Sequence, residues 1–136
     1  MQTQKRVFSV GAFQLRVGTS RTGRGVFAEE VIPKGSCIIE YTGRPATAAE
    51  QEANTGKYLF WTGTRTMING NIKGNRARFI NHSCVPNCEV DLKKKRIFVF
   101  ALRDIQKGEE LTYDYGPEYF DMHLKDRCLC QKCSPA

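Results

Sequence analysis

Short apolar segments separated by glycine and proline turns recur along most of the chain, and they predict a protein built mainly of β-strands. The turn signals are clearest at residues 20–25 and 32–36. The strand candidates share a high content of Val, Ile, Phe and Tyr; they are residues 7–10, 13–17, 26–28, 37–43, 58–61, 66–70, 88–92, 96–102 and 110–115. The pattern therefore predicts many short strands joined by short connections.

Helical signals are few. Residues 46–53, which are rich in Ala and Glu, form the best helix candidate, and residues 75–81 could make one helical turn. The basic run 93–96 falls between two apolar segments and predicts the tip of a hairpin. With 136 residues the chain fits one domain. Periodicity and length thus predict a single β-rich α+β domain without indicating a function.

Charge is unevenly distributed along the chain. The net charge is +7, yet residues 104–126 hold seven acidic residues and two lysines. A basic surplus favours polyanionic partners such as nucleic acid, or only keeps the protein in solution. The acidic stretch could instead face a basic peptide.

No targeting or membrane segment is evident. No stretch of 18 apolar residues is present, and the first ten residues lack the apolar core of a secretory signal. We therefore expect no membrane partner. Export by a route that needs no signal, and excision from a longer protein, both remain open.

Three of the six cysteines crowd into the sequence CLCQKC. Cysteines this close in sequence bridge each other poorly, but they converge readily on a tetrahedral zinc ion. The six are Cys37, Cys84, Cys88, Cys128, Cys130 and Cys133.

The decapeptide RFINHSCVPN (78–87) places a polar run, Asn81-His82-Ser83, between apolar residues and a proline turn. Taken singly, such a run could be a capped turn, because Asn and Ser readily bond nearby backbone groups. It is accompanied, however, by GEELTYDYG at 108–116. Together these segments closely resemble the two signatures of SET-domain protein lysine methyltransferases. Three further motifs follow the order of that family: GRGVFA (23–28), a KG-xx-IIEYTG stretch (34–43) and YLF (58–60).

The resemblance runs from about residue 13 to Cys133 and implies a fold. It implies a β-rich α+β SET-domain fold of several small sheets with a knot-like C-terminal segment. Residues 1–116 would form the SET domain, with 1–12 as a possible N-terminal extension. Residues 117–136 would form a post-SET zinc-binding tail.

The resemblance also implies a cosubstrate, S-adenosylmethionine, and the residues that bind it. Backbone near the glycine turn and the Asn-His pair would hold it, while Arg78 would support the fold through polar contacts. The implied binding residues are Thr22, Gly23, Arg24, Gly25, Tyr58, Asn81, His82 and Leu129.

Tyr115 matches the catalytic tyrosine of the family, and Tyr113 matches a position that influences how many methyl groups are added. The implied reaction is attack of a neutral lysine ε-amine on a sulfonium methyl group. Free lysine has a pKa near ~10.4, so an apolar channel and the neighbouring cation must favour the neutral amine. A second tyrosine hydroxyl can hold a water beside the amine, which implies mono- or dimethylation.

The implied zinc site joins Cys84 to Cys128, Cys130 and Cys133. Four thiolates suit a closed structural site. The spacing CxCx2C departs from the commoner CxCx4C of the family, and Cys88 competes with Cys84 for the fourth position.

Three classes of function remain in competition. The first is an active lysine methyltransferase whose substrate is a basic histone tail, or alternatively a non-histone protein. The second is a catalytically silent SET-like binding module, and the third is a small zinc- or disulfide-stapled binder of nucleic acid. The run 93–96 is either a solvated hairpin tip or a contact to nucleosomal DNA. The expected location is nuclear if the source is eukaryotic, and otherwise cytoplasmic or exported by a bacterium. The oligomeric state is left open.

Overall fold

A computed structural model describes residues 6–20, 23–53, 58–62 and 66–116. Short strands dominate this part of the chain: β1 (Leu15–Ser20), β2 (Gly23–Ala28), β3 (Cys37–Tyr41), β4 (Arg44–Pro45), β5 (Leu59–Trp61), β6 (Met67–Asn69), β7 (Asn81–His82), β8 (Cys88–Lys93), β9 (Arg96–Ala101) and β10 (Thr112–Tyr113). The helix α1 (Ala48–Ala53) follows β4, and a 3₁₀ helix (Arg76–Phe79) precedes β7.

The described strands form four small sheets. β1 pairs with β2, β9 lies between β3 and β8, and β6 lies between β4 and β5, all antiparallel. The fourth sheet pairs β7 with β10 in parallel. The predicted β-rich α+β architecture of several small sheets is therefore confirmed, while the predicted tail at 117–136 lies outside the described residues.

β9 joins the two apolar clusters of the domain, which explains why its sequence is apolar without a break after Arg96. Ile97 and Val99 belong to the main core, together with residues of β2, β3 and the C-terminal segment. Phe98 and Phe100 point to the opposite face, where Phe8 packs edge-on against both rings. Each buried side chain of this size contributes about 1.5–3 kcal/mol.

Residues 108–113 are hydrogen-bonded to two different parts of the chain. The Leu111 amide donates to the Val26 carbonyl at 2.8 Å, and the Ala28 amide donates to the Glu109 carbonyl at 2.9 Å. Directly after Leu111 the same segment becomes β10 and pairs with β7. Leu111 is fully buried. This segment ties the N-terminal hairpin of β1 and β2 to the centre of the domain.

The local predictions agree with the structure at the helix and differ from it at several strands and turns. The predicted helix is confirmed as α1, where Thr47 and Glu50 form reciprocal capping hydrogen bonds. Residues 7–10 form no strand, because Phe8 is held by its ring rather than by a ladder of backbone hydrogen bonds. The last strand covers only two of the six predicted residues, and the predicted turn at 20–25 is mostly strand.

The hairpin between β8 and β9 has an unusual two-residue turn. Lys94 and Lys95 both have positive φ, 51° and 63°, as in a type I′ turn. Asn-Gly is the favoured sequence there, because each L-residue with a Cβ costs roughly 1–2 kcal/mol in this conformation. Both lysines are exposed.

Among the described residues, no helix has the length and apolar character required to cross a bilayer.

Candidate active site

The two signature segments meet as neighbouring strands. In the parallel pair, Asn81 lies opposite Thr112 and His82 lies opposite Tyr113. The Ser83 amide donates to the Tyr113 carbonyl at 3.1 Å, which extends the pairing by one residue. Residues separated by about thirty positions in sequence are thus brought into one small region.

Asn81 is buried, with 9% of its surface exposed, and its side-chain amide faces three acceptors. Its Nδ2 atom donates to the carboxylate of Glu110 at 2.7 Å and to the carbonyl of Arg24 at 2.8 Å. The Ser20 hydroxyl oxygen lies 3.1 Å from the same nitrogen. Asn81 therefore connects the glycine turn to the C-terminal segment.

The glycine-bearing residues 23–25, which were predicted as the glycine turn and form the start of β2, present open backbone beside this amide. Gly23 has a φ of 117°, and a Cβ built there would meet nothing within 4 Å. Such a residue leaves room for a ligand to approach the main chain closely. Thr22, which was predicted to border the cosubstrate, lies outside the described residues.

The two tyrosines stand side by side, as their spacing on an extended segment predicts. Their ring centroids are 4.9 Å apart, and Tyr113 is 4% exposed. The Tyr115 hydroxyl donates to the Ile80 carbonyl at 2.6 Å. Because a phenol has only one hydrogen, its oxygen then presents lone pairs to any further partner.

An aromatic row continues from Tyr113 into the third sheet. Phe60 lies 6.2 Å from Tyr113 and 4.6 Å from Tyr41, measured between ring centroids. The carbonyl of Tyr58, one residue before β5, accepts hydrogen bonds from the Tyr41 hydroxyl at 3.3 Å and the Gly70 amide at 2.8 Å. These bonds fix the backbone of Tyr58, a predicted cosubstrate contact.

His82 is held in one tautomer. The backbone amide of Tyr115 donates to His82 Nδ1 at 3.0 Å, so Nδ1 carries no proton. The neutral ring then bears its hydrogen on Nε2, which lies 3.3 Å from the Cys84 sulfur. Burial lowers the pKa of His82, an effect that the nearby Asp114 carboxylate partly offsets. The imidazole therefore accepts a hydrogen bond at Nδ1 and directs Nε2 at the Cys84 sulfur.

The structure separates the two candidates for the fourth zinc ligand. Cys88 is fully buried, and burial raises the pKa of its thiol to about 12. Cys84 is only partly buried and receives the His82 N–H. A thiol that resists ionisation suits a metal poorly, so Cys84 fits the role better.

The other three predicted zinc ligands belong to the C-terminal segment 117–136. Within the described ranges, no group of three or more metal-binding side chains occurs. Cys128, Cys130, Cys133 and Leu129 lie outside them.

Three polar residues of the region were assigned no function from the sequence. Glu110 and Asn87 lie inside the two signatures. Their hydrogen bonds join segments that are distant in sequence, so no short sequence pattern predicts them. Ser20 precedes the glycine turn and carries no signal of its own. Arg78, by contrast, was predicted to support the fold, and its guanidinium donates to the carbonyls of Ile72 and Asn75.

Comparison with known proteins gives consistent results. A family model described as the SET domain matches residues 23–116. A Chaetomium globosum protein named histone-lysine N-methyltransferase, H3 lysine-4 specific, is 43% identical over 121 residues, which cover 78% of this chain and 11% of that protein. A Schizosaccharomyces pombe protein with the same name is 43% identical over 132 residues, 86% of this chain and 14% of that protein. Drosophila virilis histone-lysine N-methyltransferase trithorax is 38% identical over 136 residues, 91% of this chain and 3% of that protein. The chain therefore spans between 3% and 14% of the length of these relatives.

Proposed function

Because the chain belongs to the SET-domain family, we propose that it is an S-adenosylmethionine-dependent protein lysine methyltransferase that acts on a histone tail. The observation that carries the proposal is the meeting of Asn81 and His82 with Tyr113 and Tyr115 across one pair of strands. The names of the three relatives support a histone substrate. The organisms of these relatives are eukaryotic, which supports a nuclear, chromatin-associated location.

The described residues can perform distinct parts of this reaction. S-adenosylmethionine supplies an electrophilic methyl group on a sulfonium. The open backbone at Gly23 and the amide of Asn81 would hold its amino acid end, with Arg24 and Gly25 bordering it. The aromatic row would shield a lysine side chain from water, which favours the neutral amine. The Tyr115 oxygen, whose hydrogen is engaged by Ile80, would accept a hydrogen bond from the amine and align it with the methyl group.

Methylation of a panel of histones and tail peptides, read by mass spectrometry, tests the proposal. We expect methyl groups on one lysine of a basic tail. If only a non-histone protein is methylated, the substrate is a non-histone protein and not a histone tail. If the wild-type protein methylates no substrate of the panel but still binds S-adenosylhomocysteine, the chain is a catalytically silent binding module.

Replacing Tyr113 with Phe should raise the final methylation state. Tyr113 is buried beside Tyr115, so its hydroxyl could hold a water molecule in the space that additional methyl groups would need. We expect wild type to stop at mono- or dimethylation and Y113F to proceed further. Time courses by mass spectrometry distinguish the products, and an unchanged methyl distribution would remove Tyr113 from this role.

A structural zinc site formed by Cys84, Cys128, Cys130 and Cys133 is the second part of the proposal. In this division, residues 1–116 form the SET domain and 117–136 form the zinc-binding tail. The His82 N–H directed at the Cys84 sulfur would stabilise a thiolate there.

Zinc content tests this site directly. Reduced protein should contain about one zinc per chain, as expected for a four-thiolate site. Cys84→Ser should lower that content, whereas Cys88→Ala should retain it, because Cys88 is buried away from the surface. A chelator should abolish activity by releasing the tail. Zinc-free wild type that is fully active would contradict the site.

The Lys94-Lys95 turn is the proposed contact to nucleosomal DNA. Arg96 is engaged by Glu40 at 2.7 Å and Lys93 lies over the ring of Phe8, whereas the two exposed turn lysines stand at the tip itself. Strained backbone retained at an exposed turn supports a function for these side chains.

Replacing Lys94 with Asn and Lys95 with Gly removes the charge of the turn and introduces the sequence that favours its backbone conformation. Loss of two phosphate contacts should weaken nucleosome binding by about tenfold at low salt. The same change should raise stability by about 1 kcal/mol, because Asn-Gly relieves the strain. Kinetics on a free histone peptide should stay the same. Unchanged nucleosome affinity would identify the tip as merely solvated.

A further inference from the structure

Glu110 lies behind the proposed cosubstrate site, and its carboxylate determines which way the Asn81 amide points. Glu110 Oε2 is 2.7 Å from Asn81 Nδ2, and the Arg24 carbonyl is 2.8 Å from it. A carboxylate and a carbonyl can only accept hydrogen bonds. The Ser20 hydroxyl donates to the Arg24 carbonyl at 3.3 Å, so it too offers its oxygen to the amide.

These acceptors exclude the flipped amide. Rotating the amide by 180° would place the Asn81 oxygen against the oxygens of Glu110 and Arg24, which is electrostatically unfavourable. The amide oxygen is therefore directed away from them, and no described residue hydrogen-bonds it. It remains available as an acceptor at the edge of the glycine turn.

Gly25 allows the carboxylate to reach this position. A Cβ at residue 25 would lie 2.4 Å from Glu110 Oε2 and 3.0 Å from the Ser20 Cβ. Real side chains do not approach that closely, so any other residue would displace Glu110. The glycine of this turn thus serves the contact between Glu110 and Asn81 as well as access for a ligand.

We propose that Glu110 is a positioning residue, which orients the Asn81 amide so that its oxygen receives the ammonium group of the cosubstrate's amino acid end. This inference rests on the proposed function. Glu110 itself contacts no reacting atom and acts through Asn81.

A double-mutant cycle on cosubstrate-product binding tests the inference. Glu110→Gln keeps the shape of the side chain but removes its charge and adds a donor, which leaves the Arg24 carbonyl to oppose the flipped amide and weakens the preference for one orientation. Calorimetric titration with S-adenosylhomocysteine should show its Kd raised by about tenfold in E110Q, the size expected for a lost charge-assisted hydrogen bond. In the Asn81→Ala background the same change should have less than about a twofold effect, because the group through which it acts is gone.

Glu109→Gln is the matched control. Glu109 neighbours Glu110 but pairs with Arg103 on the surface, so its variant should bind within about twofold of wild type. Wild-type affinity in E110Q, or an equal loss in the Asn81→Ala background, would overturn the inference. If wild type binds no S-adenosylhomocysteine, the proposed function fails, and the unfolding free energies of the same four proteins then decide the inference. Additive free energies would overturn the Glu110–Asn81 coupling, and non-additive ones would support it.

Discussion

Replacing Tyr115 with Phe should lower kcat by about 100-fold or more, the largest effect that we expect from removing a single atom in this protein. The hydroxyl is the group proposed to align the lysine amine with the methyl group. It is itself fixed by the 2.6 Å hydrogen bond to the Ile80 carbonyl, so its lone pairs have a defined direction. Without this atom the amine can still enter the site but is no longer held in line.

Single-turnover methylation of a histone peptide measures this effect, and two controls show that the fold survives. Affinity for S-adenosylhomocysteine should stay within about threefold, because the hydroxyl bonds the Ile80 carbonyl and not the predicted cosubstrate contacts. Stability should fall by about 1 kcal/mol, the ordinary value of one hydrogen bond. A variant that retains near-wild-type kcat would show that Tyr115 is a packing residue.

Replacing Asn87 with Ala should cost about 2–4 kcal/mol of stability, because its side chain forms two hydrogen bonds to the C-terminal segment. Asn87 Nδ2 donates to the Glu110 carbonyl at 2.8 Å, and its Oδ1 accepts from the Thr112 amide at 2.9 Å. Asn87 is 5% exposed, so water would not readily replace either bond. Against a total of about 5–15 kcal/mol, such a loss is large.

Urea denaturation measures this change, and Asn71→Ala provides the comparison. Asn71 is exposed, and its backbone amide donates to the Asn69 side chain, a hydrogen bond that alanine at position 71 would also form. The N71A variant should therefore stay within about 0.5 kcal/mol of wild type. If N87A lost no more than N71A, the Asn87 side chain would not be holding the segment in place.

The sequence predicted best those elements that are determined by local pattern. The Ala- and Glu-rich stretch became α1, and the apolar runs around Lys94 became β8 and β9. Residues 7–10 show where prediction from local pattern fails. Their apolar content predicted a strand, but the Phe8 ring packs on a sheet that is distant in sequence and these residues form no strand. The family signatures predicted the fold class. Five motifs in the order of the family are specific to it, whereas any one short segment could occur in many folds.

The candidate site, too, was predicted only in part from the sequence. Asn81, His82, Tyr113 and Tyr115 were found through their motifs, and the structure brings them together as one group. The acceptors that orient Asn81 could not be predicted, because Ser20 and Glu110 lie 61 and 29 residues away in sequence. Which of several nearby polar residues meets the amide depends on strand register, and register is set only when the sheets assemble.

Residues 108–113 bond to β2 on one side and to β7 on the other, so we expect release of this segment to remove the proposed activity in a single event. If thermal motion or a mutation released the segment, the support for Asn81 and the placement of both tyrosines would be lost in the same event. A form that binds the cosubstrate but is only loosely assembled for transfer is therefore not expected to accumulate. Under the proposed function, local unfolding of this segment would stop methyl transfer even where the rest of the domain stays folded, so the stability of the segment itself would limit activity.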